Sequence, residues 1–111
     1  MTRFGLGILL QEQILLQEQM LLVILFQQKE FERWISENAT ADKYRVYISG
    51  DREILMYPLK TSRPLTCAYY KAVSDEEIKN FKESFISAGY KLYEVKAIEW
   101  CGDRPVGVKF T

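Results

Sequence analysis

Residues 8–25 read ILLQEQILLQEQMLLVIL, and the way this stretch folds decides the architecture of the chain. An apolar triplet recurs every six residues, as Ile8-Leu9-Leu10, Ile14-Leu15-Leu16 and Met20-Leu21-Leu22, with Gln-Glu-Gln between. Leu, Gln, Glu and Met are good helix formers. Positions 8–38 contain neither proline nor glycine. The expected element is one long helix ending at Asn38, about 45 Å long at ~1.5 Å per residue.

In a helix, six residues turn by ~600°, so successive triplets point ~120° apart. A helix that is apolar on several sides must be packed among other helices, and 111 residues are too few to surround it. Within it, Leu10, Ile14, Gln17, Leu21, Ile24, Gln28, Phe31 and Ile35 alternate spacings of four and three, the heptad spacing of a coiled-coil-like seam. These eight are the expected oligomer interface. Gln17 and Gln28 are its polar layers, which cost stability but can fix register. A homo-oligomer follows from this reading.

The remainder reads differently. After a short linker at 39–43, Tyr44–Ser49 and Glu53–Tyr57 are rich in β-formers and flank the turn signal Ser49-Gly50-Asp51-Arg52. Leu65–Lys71 is a third expected strand. A second helix carries a clear start signal: Ser74 as N-cap, Glu77 three residues on, and Val73 and Ile78 in staple positions. Ile78, Phe81, Phe85 and Ala88 form its apolar stripe, and Gly89 ends it. Tyr90–Trp100 reads as one long strand, and Val106–Phe110 closes a hairpin after the turn at 101–105. The expected fold class is α+β: an oligomerisation helix over 1–38, then a small domain over 44–111. That domain is a mainly antiparallel sheet with one packed helix. The element order is α-β-β-β-α-β-β.

Composition narrows the function. Fifteen Lys and Arg balance fifteen Asp and Glu, which argues against a nucleic-acid binder, whose domain usually carries a basic excess. Histidine is absent, so His-based zinc sites, Ser-His-Asp triads and Cys-His dyads are excluded together. Cys67 and Cys101 alone cannot make a zinc site, and they read as reduced thiols. The longest apolar run, 20–26, is far short of the ~20 residues that cross a bilayer. The polar positions of the N-terminal stretch carry Gln and Glu, whereas a membrane-surface helix would carry Lys and Arg. The expected protein is soluble and cytoplasmic, without cofactor, metal or membrane.

No Gly-rich phosphate loop, EF-hand or metal triplet occurs. The acidic run Asp75-Glu76-Glu77 is explained by the dipole of the helix it opens. The expected protein is therefore not an enzyme. Binding has better support. Lys60-Thr61-Ser62-Arg63 offers two cations, two hydroxyls and loop amides to an anion. Arg104 sits at a second turn, and Tyr69, Tyr70 and Trp100 could stack on a base. The expected ligand-binding residues are thus Lys60, Arg63, Tyr69, Tyr70, Trp100 and Arg104.

The element order, with a long oligomerising helix, a hairpin-rich sheet, one packed helix and a final hairpin, resembles phage Thoeris anti-defence proteins. That resemblance implies oligomers that sequester nucleotide-like signals in pockets lined by arginine and aromatic residues, without catalysis, in the cytoplasm of an infected host. Three other readings compete with it. These are a protein–protein inhibitor or adaptor acting by docking, a structural oligomer, and, least favoured, a weak binder of single-stranded nucleic acid.

Overall fold

The computed structural model describes residues 13–16, 21–60 and 65–110. Two strands, β1 (Gln13–Leu15) and β2 (Leu22–Leu25), come first. They are followed by helix α1 (Gln28–Asn38) and the strands β3 (Tyr44–Ser49), β4 (Glu53–Pro58) and β5 (Thr66–Lys71). Helix α2 (Asp75–Ser87) precedes the last three strands, β6 (Lys91–Val95), β7 (Ala97–Cys101) and β8 (Arg104–Lys109).

These elements make three layers. The middle layer is a five-stranded mixed sheet of order β2-β5-β4-β3-β6. Its centre is an antiparallel meander, and its outer strands pair in parallel, β2 with β5 and β6 with β3. One face is covered by the two helices. Phe31 of α1 and Ile78, Phe81 and Phe85 of α2 bury against Tyr44, Val46, Ile48, Ile54, Met56, Ala68 and Tyr70. The other face is covered by an antiparallel three-stranded sheet of order β1-β8-β7. There Leu16, Ile98 and Val108 meet Tyr47, Leu55, Tyr57 and Cys67. A sheet buried on both faces needs apolar residues at odd and even positions alike, which is why the central strands are nearly continuous apolar runs.

The expected long N-terminal helix and its coiled-coil-like seam are not formed. Among the described residues the chain is β-rich, and the first helix starts at residue 28. Leu22 donates its amide to the Leu65 carbonyl and Phe26 to that of Tyr69 (3.2 and 3.0 Å), which fastens the segment to the sheet. Only then does the helix begin, where the Gln27 amide donates to the Glu30 carboxylate at 3.2 Å. The reason lies in the same pattern that suggested the helix. A short run of consecutive apolar residues does not tell a helix from a strand by periodicity. Val23 and Ile24 are β-branched, and intrinsic helix propensity is weak enough for sheet pairing to override it.

Consequently the eight seam residues share no stripe. Ile14 lies in β1, Leu21 just before β2, Ile24 in β2, and Gln28, Phe31 and Ile35 in α1. Phe31 is fully buried in the chain's own core. Leu10 and Gln17 lie outside the described residues.

Two further expectations are corrected. The sheet is not single and mainly antiparallel, because the chain forms two sheets and the larger one has two parallel pairs. The strand expected over 90–100 is broken at Lys96. The Lys96 amide donates to the Lys109 carbonyl (2.6 Å), and its carbonyl accepts from the Gly50 amide (3.3 Å). The chain crosses there from one sheet to the other.

From Asn38 to Gly89 most local signals hold, but Val73 and Ala88, expected in the staple and the apolar stripe, are exposed. Helix α1 stops at Asn38, and β3 spans the expected residues. Ser74 caps α2 by accepting from the Glu77 amide at 3.2 Å. Glu77 itself reaches one residue past the N-cap, accepting from the Val73 amide at 3.2 Å. Gly89 takes the left-handed conformation, φ 87°, that stops helices and that glycine adopts without steric cost.

Candidate functional site

Alternation along β3 puts Arg45 and Tyr47 on the face turned toward the three-stranded sheet, and the register sets Tyr57 of β4 opposite Arg45. An arginine on a face otherwise given to the core is expensive to bury unless its donors are used. The guanidinium hydrogen-bonds the Tyr47 hydroxyl, and the Tyr47 ring stacks on Tyr93 of the neighbouring β6 with centroids 5.3 Å apart. The Arg45 Nε is shielded from solvent and has no hydrogen-bond partner.

At this point the β3–β4 hairpin is open-ended, and β1 crosses it. Between them lies a cleft of about 350 Å³. Ile14, Leu15 and Leu16 form one wall; Arg45, Tyr57, Pro58, Leu59 and Lys60 form the other. Arg104, at the start of β8, is close enough to Tyr57 to act on its phenol electrostatically. Three cationic side chains, Arg45, Lys60 and Arg104, thus gather near one tyrosine. Burial pushes the phenols of both Tyr47 and Tyr57 above the usual tyrosine pKa range, and Arg45 and Arg104 respectively oppose that rise. Both phenols are neutral at physiological pH. Among the described residues, no carboxylate or thiol lines the cleft.

The other expected residues are placed elsewhere. Tyr69 and Trp100 pack on each other between the two sheets, edge to face at 5.2 Å. The Tyr69 hydroxyl donates to the Glu53 carboxylate at 2.6 Å, and the Ser49 hydroxyl donates to the same carboxylate at 3.2 Å. Burial and the Glu53 charge push the Tyr69 phenol well above its ordinary value. Tyr70, the next residue along β5, points to the opposite face. It is buried under the helices, with its hydroxyl donating to Glu77 at 2.5 Å. Its phenol is raised to about 12, by burial first and then by Glu77. Neither tyrosine can stack on a ligand in the cleft. Arg63, with residues 61, 62 and 64, lies outside the described residues. Of the six expected residues, the structure brings Lys60 to the cleft and Arg104 to its Tyr57 wall.

Sequence reasoning missed Arg45 and Tyr57 as site residues. One signal was present: Arg45 is the single charged residue inside the run 44–48, YRVYI. A lone arginine in a strand read as buried marks a place where the core opens onto something polar.

Two other concavities have different chemistry. Between the N-terminal ends of α1 and α2, Gln28, Glu32, Glu76, Glu77 and Asn80 line an acidic cleft of about 330 Å³. Beside Trp34, Ile24, Leu25, Glu30, Arg33 and Glu37 line an open groove along β2 and α1. Among the described residues, no group of three or more His, Cys, Asp and Glu side chains is placed to hold a metal ion. No helix among them is long and apolar enough to cross a membrane. Cys67 is buried, which pushes its thiol far above the ordinary range, whereas Cys101 is exposed.

No protein-family model, curated protein or solved structure matches this chain. The element order that carried the resemblance to phage anti-defence proteins began with a long helix; among the described residues the order begins with two strands.

Proposed function

We propose that this chain is a non-enzymatic, cytoplasmic binding protein that holds a small phosphate-bearing ligand in the cleft between β1 and the open end of the β3–β4 hairpin. One observation carries this reading: Arg45 lines a 350 Å³ cavity beside Lys60 and has a shielded Nε with no partner. Buried polar groups in folded proteins almost always have partners. A planar guanidinium with a spare donor, beside a second cation, matches the oxygens of a phosphate. Among the described residues, the lining of cations, a phenol and apolar groups includes no carboxylate or thiol to act as base or nucleophile, which favours retention over turnover.

Isothermal titration with AMP tests the reading. Wild-type protein binds, and Arg45→Gln and Lys60→Gln each weaken binding about 10- to 100-fold, the ~1.5–3 kcal/mol of a hydrogen bond to a charged group. Circular dichroism checks that both variants are folded. Affinity unchanged in both refutes the assignment.

A second reading, docking onto a protein partner, is favoured by β2. Among the described residues this strand has no neighbour beyond β5, and its Leu22 and Leu25 are 63% and 72% exposed. An uncharged apolar edge strand is a template for strand addition. Leu25→Lys blocks such docking and leaves AMP binding at the cleft intact.

A further inference from the structure

We infer that two copies of this chain pair through the free edge of β2, antiparallel about a twofold axis at Ile24, and join their middle layers into one continuous sheet. The occupant of this edge is then a second copy, which makes the docking reading above specific. The inference is independent of the phosphate-binding reading. It follows from the direction of the peptide groups in β2, from the residues on its two faces and from the charges beside it.

Pairing with β5 fixes which peptide groups of β2 are free. Leu22 and Phe26 donate their amides to the Leu65 and Tyr69 carbonyls. Peptide groups alternate in direction along a strand, so those of Val23 and Leu25 point away from β5. On that side β2 has no neighbour among the described residues. A twofold mate satisfies these groups in one register. Val23 exchanges both N–H···O bonds with Leu25 of the second copy, symmetry repeats the exchange, and Ile24 faces its own counterpart at the axis.

The side chains agree with that register. Leu21 and Val23 pack toward the three-stranded sheet and Phe26 under the helices, so odd and even residues of the strand lie on opposite faces. On the helix face Leu22 meets Phe26 of the second copy, and on the other face Leu25 meets Val23. The two largely exposed leucines are covered together. β2 contains no charge, proline or glycine. By contrast β6, the opposite edge of the same sheet, carries exposed Lys91 and Glu94, the kind of residues that keep an edge from pairing. Beside β2, Glu30, Arg33 and Glu37 line the groove along α1. Arg33 and Glu37 make no ion pair with a described residue. This stripe reads acid, base, acid in both directions, so an antiparallel second copy sets a glutamate against Arg33 and an arginine against Glu30 or Glu37. Self-complementarity of this kind is what an isologous interface requires. Both hydrophobic cores are built within one chain, so association follows folding.

The test combines sedimentation equilibrium with cysteine cross-linking of the full chain. The wild-type mass should rise with concentration toward twice the 13.0 kDa of one chain. Leu25→Lys, at a largely exposed position, should weaken self-association at least about tenfold, because each copy would bury an unpaired charge. In a Cys101→Ser background, Ile24→Cys should give a disulfide-linked dimer on mild oxidation. The axis holds its two Cα atoms as a non-hydrogen-bonded pair ~4.5 Å apart, within disulfide range. Leu22→Cys should not cross-link, because its counterpart lies four residues along the strand, ~13 Å away. Circular dichroism checks that each variant is folded. A dimer that Leu25→Lys leaves intact, or cross-linking through Leu22 instead of Ile24, overturns the inference. A wild-type mass of one chain at every concentration also overturns it and leaves the edge to a foreign chain. None of these results bears on the AMP titration, so the two readings fail separately.

Discussion

Replacing Phe31 by alanine separates the observed fold from a helical-seam architecture. In the structure Phe31 is fully buried, with the ring of Tyr70 at 5.3 Å, Phe81 at 5.6 Å and Phe26 at 5.9 Å. Removing a ring that buries ~150 Å² of apolar surface, at ~25 cal/mol per Å², costs about 4 kcal/mol. Core Phe→Ala substitutions typically fall at ~3–5 kcal/mol. A domain of this size is stable by only ~5–15 kcal/mol. The variant should therefore sit near the edge of folding, with its Tm lowered by about 16 °C at ~4 °C per kcal/mol. The assay is urea unfolding followed by tryptophan fluorescence at two protein concentrations tenfold apart. Trp34 reports directly, because it packs on Phe26 at 5.8 Å in the same cluster. Because the contacts are within one chain, the loss is the same at both concentrations. At an intersubunit seam, dilution would lower the midpoint, since the folded state would be linked to assembly. A loss below about 1 kcal/mol, or one that grows on dilution, refutes the placement of Phe31.

Other consequences are simpler. Ser74→Ala removes the side chain that accepts the Glu77 amide and should cost about 1 kcal/mol by chemical denaturation. Gly107→Ala puts a methyl 3.1 Å from the Ile14 carbonyl oxygen and 3.2 Å from a Glu99 carboxylate oxygen. It should destabilise by ~1 kcal/mol or more, with increased amide exchange at Leu16, because β1 has to shift away from β8. The pH dependence has a definite sign. The phenols of Tyr44, Tyr47, Tyr57, Tyr69, Tyr70 and Tyr90 are all raised above 10, chiefly by burial. Above pH 10 the unfolded chain releases these protons and the native chain retains them, so stability falls as pH rises. Thermal melts from pH 8 to 12 should show a flat region and then a steep decline beginning near pH 10. Phenolate absorbance should appear together with unfolding; tyrosines that all titrate normally in the folded state contradict this.

The parts of the fold that sequence revealed are those fixed by local chemistry. Ser74 and Gly89 bracket α2 because caps act within one turn. The turn at 49–52 joins β3 to β4 because its residues suit a turn whatever surrounds it. Residues 13–25 resisted for the opposite reason. Their apolar triplets do not tell a helix from a short strand by periodicity, and the choice is made by β5 and β8, whose paired residues lie 44 to 96 positions away in sequence. The break at Lys96 is likewise set by distant partners, the Gly50 and Lys109 peptide groups. In the candidate site, Lys60 and Arg104 were readable as cations next to turns. Arg45 gained its place only when β1 crossed the open end of the hairpin, and Tyr69 and Tyr70 lost theirs to core packing on opposite faces of β5. Residue type suggested binding, and tertiary pairing decided which residues share a site.

The most direct test of the account is an NMR titration of labelled protein with AMP, following backbone amides and the Arg45 side-chain Nε–H. The prediction is a saturable set of shifts confined to Ile14–Leu16, Arg45 and Tyr57–Lys60, with the Arg45 Nε–H moving as it gains a partner. Because β1 and the hairpin respond together, this result supports both the strand pairing of the N-terminal segment and the binding role of the cleft. No shifts, or shifts centred on the acidic cleft at Glu32 and Glu76, would contradict it.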